Sequence, residues 1–377
     1  MSSAETGDPA RKRAREDEGG DAASEPSVVR SQDFYFNDGT IALRALSKDK
    51  NCYTIYRVHK SLLALHCSVF RDMFGDTDTI HFDAASEKYD GVPLMHLHDE
   101  PEDIRDFLKA LYDPAFMHRH LDHNLCYMKN FPRAYNKVMR LAKKYGSQKL
   151  LDVFAHALRQ EWPSKLKLVS AVRQSRAAKC EVLEEEDDEF DDEDHDHNVK
   201  PDPAWTIRMA IDYDVPEVLP SAFATFNARL GPGLNGATED GSHSLGEGLE
   251  DGLFVLNADE LRHLVIGGRT LASYVFGYTS EYPVPEQGTF FKPESNLHQC
   301  YARFCNAWTK MNGNLENTYG SSHPFDVLRD ALTECDLCKF CRPKARAHIH
   351  EIELDLWKKL PAIFDLRGYG VSEDWGS

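Results

Sequence analysis

Three cysteines spaced Cys335-x-x-Cys338-x-x-Cys341, with His348 and His350 downstream, are the side chains of this sequence best suited to chemistry. Thiolate and imidazole are the ligands that tetrahedral zinc takes, and Cys-x-x-Cys is its usual half-site spacing. Cys335, Cys338, Cys341 and His348 therefore form a candidate metal set, and zinc is the one cofactor the residues point to. The competing reading places sulfurs at i, i+3 and i+6 of a helix, where they drift across one face as small core residues. Asp194-His195-Asp196-His197 also carries metal-binding groups, but it lacks apolar support to preorganise a site and reads as solvated charge.

Signatures of catalysis are missing from the sequence. It holds no Walker loop, no Gly-x-Ser-x-Gly elbow, no dinucleotide glycine fingerprint and no His-Glu-x-x-His pair. Gly231-Pro-Gly-Leu-Asn-Gly236 has no preceding strand, and His59, His66 and His96 read as structural. A protein that is not an enzyme is expected; a zinc-binding or enzymatic C-terminal domain built on the cysteines is an alternative.

The formal net charge of -18 over 377 residues is unevenly spread. Twelve acids and no Lys or Arg lie between Glu181 and Asp196, so one short run supplies -12 of it. The remainder is only mildly acidic, which argues against nucleic acid as a direct partner. The nine cysteines follow no regular framework, as expected of free thiols in a reducing compartment. The first twenty residues lack the apolar core of a signal peptide, and no run approaches the roughly 18 apolar residues needed to span a bilayer. A cytoplasmic or nuclear protein without a membrane partner is expected.

Residues 1–31 are almost free of large apolar groups and read as a disordered tail. The cluster Arg11-Lys12-Arg13 with Arg15 matches the composition of a nuclear import signal. From Asp33 onward order is expected. Phe34, Phe36, Ile41 and Leu43 alternate with polar residues around an Asn37-Asp38-Gly39 turn signal; Tyr53–Val58 and Val92–Leu97 are further strand patterns. A helix opens near Pro101, with Ile104, Phe107, Leu108, Leu111 and Tyr112 on one face. Two more carry Tyr135, Val138, Met139, Ala142 and Tyr145, then Leu150, Leu151, Phe154, Ala155 and Leu158, with Gly146 ending the first and Ser147 capping the second. Three strands and about five helices make residues 32–163 an α+β domain.

Residues 164–203 read as a charged linker whose acidic run 181–196 is a self-repelling spacer. Residues 204–366 read as a mainly α-helical C-terminal domain interrupted by a mobile loop, 231–252, with 367–377 as a tail. A helix start at Asn257 with Leu261, Leu264 and Val265 as its apolar face is expected there. Leu297, Tyr301, Phe304, Trp308 and Met311 form a second stripe, and Ile349, Ile352, Leu356 and Leu360 a third.

Within the first domain, Val58-His59-Lys60 leads into Leu62-Leu63-Ala64 and then Ser68-Val69-Phe70-Arg71-Asp72-Met73-Phe74. This segment resembles the signature of the BTB (POZ) family, carried by Val58, His59, Ser68, Phe70, Met73 and Phe74. The likeness covers about 130 residues, Asp33 to Trp162. The DGTIAL and DGVPLMHLHDEPEDIRDFLKALYD segments look most like the BTB proteins abundant in mushroom-forming fungi. The resemblance implies a BTB/POZ fold, self-association as a homodimer, and protein partners that include a cullin-type ubiquitin-ligase scaffold, for which the chain would be a substrate adaptor. A nuclear transcriptional regulator is the alternative. The family's charged pocket near its dimer interface maps onto Asp38 and Lys60. Two features depart from the family: residues 1–31 lack the pattern of its extra N-terminal strand and helix, and the 113–131 loop offers Phe116 and Met117 but no acid closer than Asp122 for a cullin contact.

Overall fold

The computed structural model describes residues 26–47, 49, 51–75, 87–113, 131–169, 202–230, 253–281, 300–309, 325, 328–329 and 335–377. The Arg11–Arg15 cluster, the Phe116/Met117 loop, the acidic run 181–196 with its Asp194–His197 segment, and the 231–252 insertion lie outside the described residues. The protein is mixed α+β and divides into two compact units. One holds the strands, up to His59 and again before Pro101; the other runs from Lys60 and from Glu102 onward and holds the helices.

In the first unit a five-stranded sheet has the order β1-β3-β2-β5-β4: β1 Ser27–Tyr35, β2 Ile41–Ser47, β3 Cys52–Val58, β4 Lys88–Tyr89 and β5 Val92–Leu97. β2 pairs antiparallel with β3, while β1–β3 and β2–β5 are parallel. Ala42, Ile55 and Leu94 pack on one face with Tyr35, Tyr89 and Val92 around them. Ile41, Leu43 and Val58 are also buried. Tyr56 donates its hydroxyl to the Pro101 carbonyl at 2.6 Å.

Two strand expectations change. Phe34 and Ile41 belong to separate strands, because the Asn37-Asp38-Gly39 turn closes on itself: the Gly39 amide donates to the Phe36 carbonyl at 3.0 Å. β1 starts at Ser27, inside the expected disordered tail. Its first half is held by backbone pairing with β3, from Ser27 opposite Cys52 to Arg30 opposite Ile55. Val28 and Val29 stay 51% and 52% exposed, so no apolar periodicity announces the strand.

In the second unit a helix pair, α1 Lys60–His66 and α2 Ser68–Gly75, is followed by α3 Pro101–Tyr112, α4 Phe131–Tyr145 and α5 Gln148–Glu161. The expected faces of these last three are the buried ones: Ile104, Phe107, Leu108 and Leu111; Tyr135, Val138, Met139, Ala142 and Tyr145; Leu150, Phe154 and Leu158. Tyr112, Leu151 and Ala155 are only half-buried. Gly146 ends α4 in the left-handed region, φ +71°, where a residue without Cβ is unstrained. Ser147 occupies the N-cap of α5 but makes no side-chain cap hydrogen bond, contrary to the sequence reading.

The later helices are α6 Pro203–Asp212, α7 Leu219–Leu230, α8 Ala258–Glu281 and α9 Cys341–Ile363. Asp202 caps α6, its Oδ1 accepting from the Ala204 amide at 2.9 Å. Asn257 and Glu260 make a reciprocal capping box at α8: the Glu260 amide donates to Asn257 Oδ1, and the Asn257 amide to Glu260 Oε2. The buried face of α8 is Glu260, Leu264, Gly267, Gly268 and Leu271. The expected Val265 is 39% exposed because the two glycines mark the closely packed side: a Cβ on Gly267 would fall 2.1 Å from the Phe364 ring. Ile349, Ile352, Leu356 and Leu360 of α9 are buried as expected. Phe304 and Trp308 are buried in the helical segment 300–309, with Tyr301 partly so; Leu297 and Met311 lie outside the described residues.

Helices on either side of the expected linker belong to this one unit. Lys143 donates to the Asp212 carbonyl at 2.6 Å, the Trp357 indole to the Ser164 carbonyl at 2.6 Å, and Arg159 pairs with Glu217. The expected tail 367–377 is also packed: Trp375 stacks on Trp357 with centroids 5.1 Å apart and donates to the Glu217 carbonyl.

A Cβ at position 146 would meet Ser68 Oγ at 2.0 Å in addition to the φ penalty. Gly146→Ala is therefore expected to destabilise by about 2 kcal/mol or more in urea unfolding. Gly75→Ala, whose Cβ meets nothing within 4 Å, should be neutral or slightly stabilising. Equal midpoints for the two variants would contradict this account of the α4–α5 corner.

Candidate interaction surface and a thiol cluster

The signature residues separate into core and surface. Val58 ends β3 fully buried. His59 sits 3.3 Å from the Asp38 carboxylate and tilts against the Phe36 ring, centroids 5.2 Å apart. That hydrogen bond from His59 holds the Asp38 carboxyl below its ordinary range. The Asp38 side chain is 84% exposed in the single chain. Lys60 opens α1, and its ammonium lies 5.8 Å from the Phe74 ring centroid.

Phe70 anchors α2. It is buried, stacking on Tyr145 at 4.7 Å and on Phe74 at 5.9 Å. The Ser68 amide donates to the Gly146 carbonyl at 3.1 Å, tying the start of α2 to the α4–α5 corner. The Cys67 amide donates to the Leu63 carbonyl at the end of α1, and the Arg71 amide donates to the Cys67 carbonyl at the start of α2, both at 2.9 Å. Residues four apart within α2 share a face. Val69 and Met73 have this spacing and are 39% and 42% exposed, and Leu65, near the end of α1, is 65% exposed. Large aliphatic side chains repeated at one helical face in water are a feature of binding surfaces.

A second constellation lies in the C-terminal half. Cys300, at the start of the helical segment 300–309, meets Cys338 and Cys341, and the three sulfurs lie within 4.8 Å of one another. The Cys338 amide points at Cys300 Sγ, 3.5 Å away. The loop folds back on itself there, since the amides of Cys341 and Arg342 both donate to the Cys338 carbonyl, at 3.1 and 3.0 Å. The Cys338 sulfur in turn accepts from the backbone N–H groups of Cys341 and Phe340, which lowers its thiol pKa to about 7. Burial and the adjacent Cys338 sulfur push Cys341 the other way. Arg303 clamps the loop to the helical segment, donating to the Asp336 carbonyl at 2.8 Å and to its carboxylate at 2.7 Å.

The expected metal set is thus only partly assembled. Cys338 and Cys341 come together as the spacing suggests. Cys335 is buried but stands outside the group, its thiol donating to the Arg303 carbonyl at 3.7 Å. His348 also stands outside; its ring lies 6.2 Å from that of Trp308, and burial lowers its pKa. Cys300 was not anticipated: it lies 38 residues before Cys338, and its neighbour Cys305 stands at Cys-x4-Cys rather than Cys-x-x-Cys spacing.

No family model, curated protein or solved structure matches this chain. Among the described residues no helix is long and apolar enough to cross a membrane.

Thiol reactivity should follow these environments. In reduced, chelator-treated protein, iodoacetamide is expected to label Cys338 first among the described cysteines, its rate rising through about pH 7 and then levelling off. Cys67 is buried and pushed up to about 12, so it should be labelled last. Pulse labelling read by peptide mass spectrometry checks the order; Cys67 reacting as fast as Cys338 would contradict it.

Proposed function

We propose that this protein is a non-catalytic interaction module that self-associates through the exposed face of the α1–α2 pair, as the BTB resemblance implies. The observation that carries the reading is the exposure of Leu65, Val69 and Met73 on a helix pair that Phe70 anchors by stacking, buried, on Tyr145. Burying three such side chains against a second copy supplies roughly 1.5–3 kcal/mol each before association costs are met. The three residues fall inside the signature segment, and Met73 belongs to the signature itself. Self-association would present two copies of whatever the rest of the chain recognises, raising effective concentration at a shared partner. A cullin-type scaffold is the partner class that the resemblance adds.

Sedimentation velocity of the full chain tests this directly. A dimer is expected, and Leu65→Asp combined with Val69→Asp should weaken it by a hundredfold or more while leaving the far-UV circular dichroism unchanged. A wild-type chain that stays monomeric at tens of micromolar would overturn self-association. Binding of a purified cullin N-terminal domain, measured on the same material, separates the adaptor role from simple dimerisation; no binding would remove the adaptor role.

A further inference from the structure

We propose that Cys300, Cys338 and Cys341 are three ligands of a structural zinc ion, with Cys335 as the fourth. The inference is independent of the interaction surface and rests on how the 335–341 loop is built. Three thiols from two chain segments converge within 4.8 Å, although each is an ordinary apolar-sized side chain that a core would accommodate singly. Around a tetrahedral zinc with Zn–S bonds of about 2.3 Å, neighbouring sulfurs sit ~3.8 Å apart. The observed cluster therefore needs only a small contraction to enclose the ion.

The backbone closes around the cluster. The Cys338 amide faces Cys300 Sγ at 3.5 Å, and the Cys341 and Arg342 amides donate to the Cys338 carbonyl at 3.1 and 3.0 Å. An N–H···S contact orients a sulfur and stabilises the negative charge it carries as a ligand. The loop is also held in register by the Arg303–Asp336 ion pair at 2.7 Å, so the ligands are positioned by a supporting shell. Four thiolates would carry a net charge of -2 with the ion, and Lys339 and Arg342 are basic residues adjacent in sequence to the ligands.

Cys335 is assigned the fourth position for two reasons. Its thiol lies against the Arg303 carbonyl, one helical turn from Cys300, on the segment that contributes the first ligand. That contact is a weak S–H donor bond at 3.7 Å, which a zinc–thiolate bond readily outcompetes. His348 packs against Trp308 and is not assigned. Soft thiolate donors of this kind select zinc over magnesium or calcium.

The test uses full-length protein purified under reducing conditions. Atomic emission should give about one zinc per chain, falling to near zero in Cys300→Ser, Cys338→Ser and Cys341→Ser. Cys335→Ser should weaken binding at least tenfold in a competition titration, whereas Cys305→Ser and His348→Ala should match the wild type. Cobalt added to metal-free protein should give intense visible bands of a tetrahedral site with thiolate-to-cobalt charge transfer in the near ultraviolet, a readout that does not depend on a variant's folding. Wild-type protein that holds no zinc and develops no such bands overturns the site, as does a quantitative disulfide within the cluster in place of metal. Unchanged affinity in Cys335→Ser overturns the fourth-ligand assignment.

Discussion

The corner between α4 and α5 is the constraint on which the helical unit depends. Gly146 takes the left-handed conformation there, its carbonyl receives the Ser68 amide, and Tyr145 receives the ring of Phe70. One short segment thus ends α4, starts α5 and seats α2. Phe107 approaches the same tyrosine from α3, with ring centroids 5.7 Å apart. Three helices meet at Tyr145, and a side chain at the adjacent position 146 would collide with Ser68 at the start of α2. The same seating leaves Leu65, Val69 and Met73 outside the core, because α2 turns its Phe70 face inward.

Three buried carboxylates of this unit are paired with arginines. Glu260 lies at 1% side-chain exposure, pairs with Arg208 at 2.9 Å and closes the capping box of α8. Glu353, on the buried side of α9, pairs with Arg329 at 2.6 Å, and Asp103 of α3 with Arg140 of α4 at 2.6 Å. Desolvating these carboxylates is costly, and the ion pairs offset much of it; a buried pair therefore contributes more to which helix meets which than to net stability. Trp357 works in the same way with neutral groups, placing one indole N–H on the Ser164 carbonyl and one ring face on Trp375.

Much of the helical half was legible from spacing alone. The stripes of α4 and α9 bury the residues that a 3.6-residue period picks out, and that of α3 does so except for half-buried Tyr112, since a helix packed on one side needs only its own sequence to declare that side. α8 misled for a physical reason. Its packed side contains Gly267 and Gly268, which carry no apolar signal, and close backbone approach left Val265 and Ile266 toward solvent. β1 misled in the opposite sense: its first half gains backbone hydrogen bonds from β3 without burying either valine.

The cysteines show the division most clearly. Sequence by itself determined that Cys338 and Cys341 lie one turn apart and share chemistry, because local spacing sets local geometry. It likewise determined which faces of α3, α4 and α9 are apolar, and the mixed α+β character that follows from strand and helix periods. Only the tertiary structure decided that Cys300 joins that pair, that Asp38 meets His59, and that residues 367–377 close over Trp357. The physical reason is the same in each case. Periodicity records which way a side chain points from its own element, whereas a partner tens of residues away is chosen by packing of whole elements, and no local pattern encodes that choice.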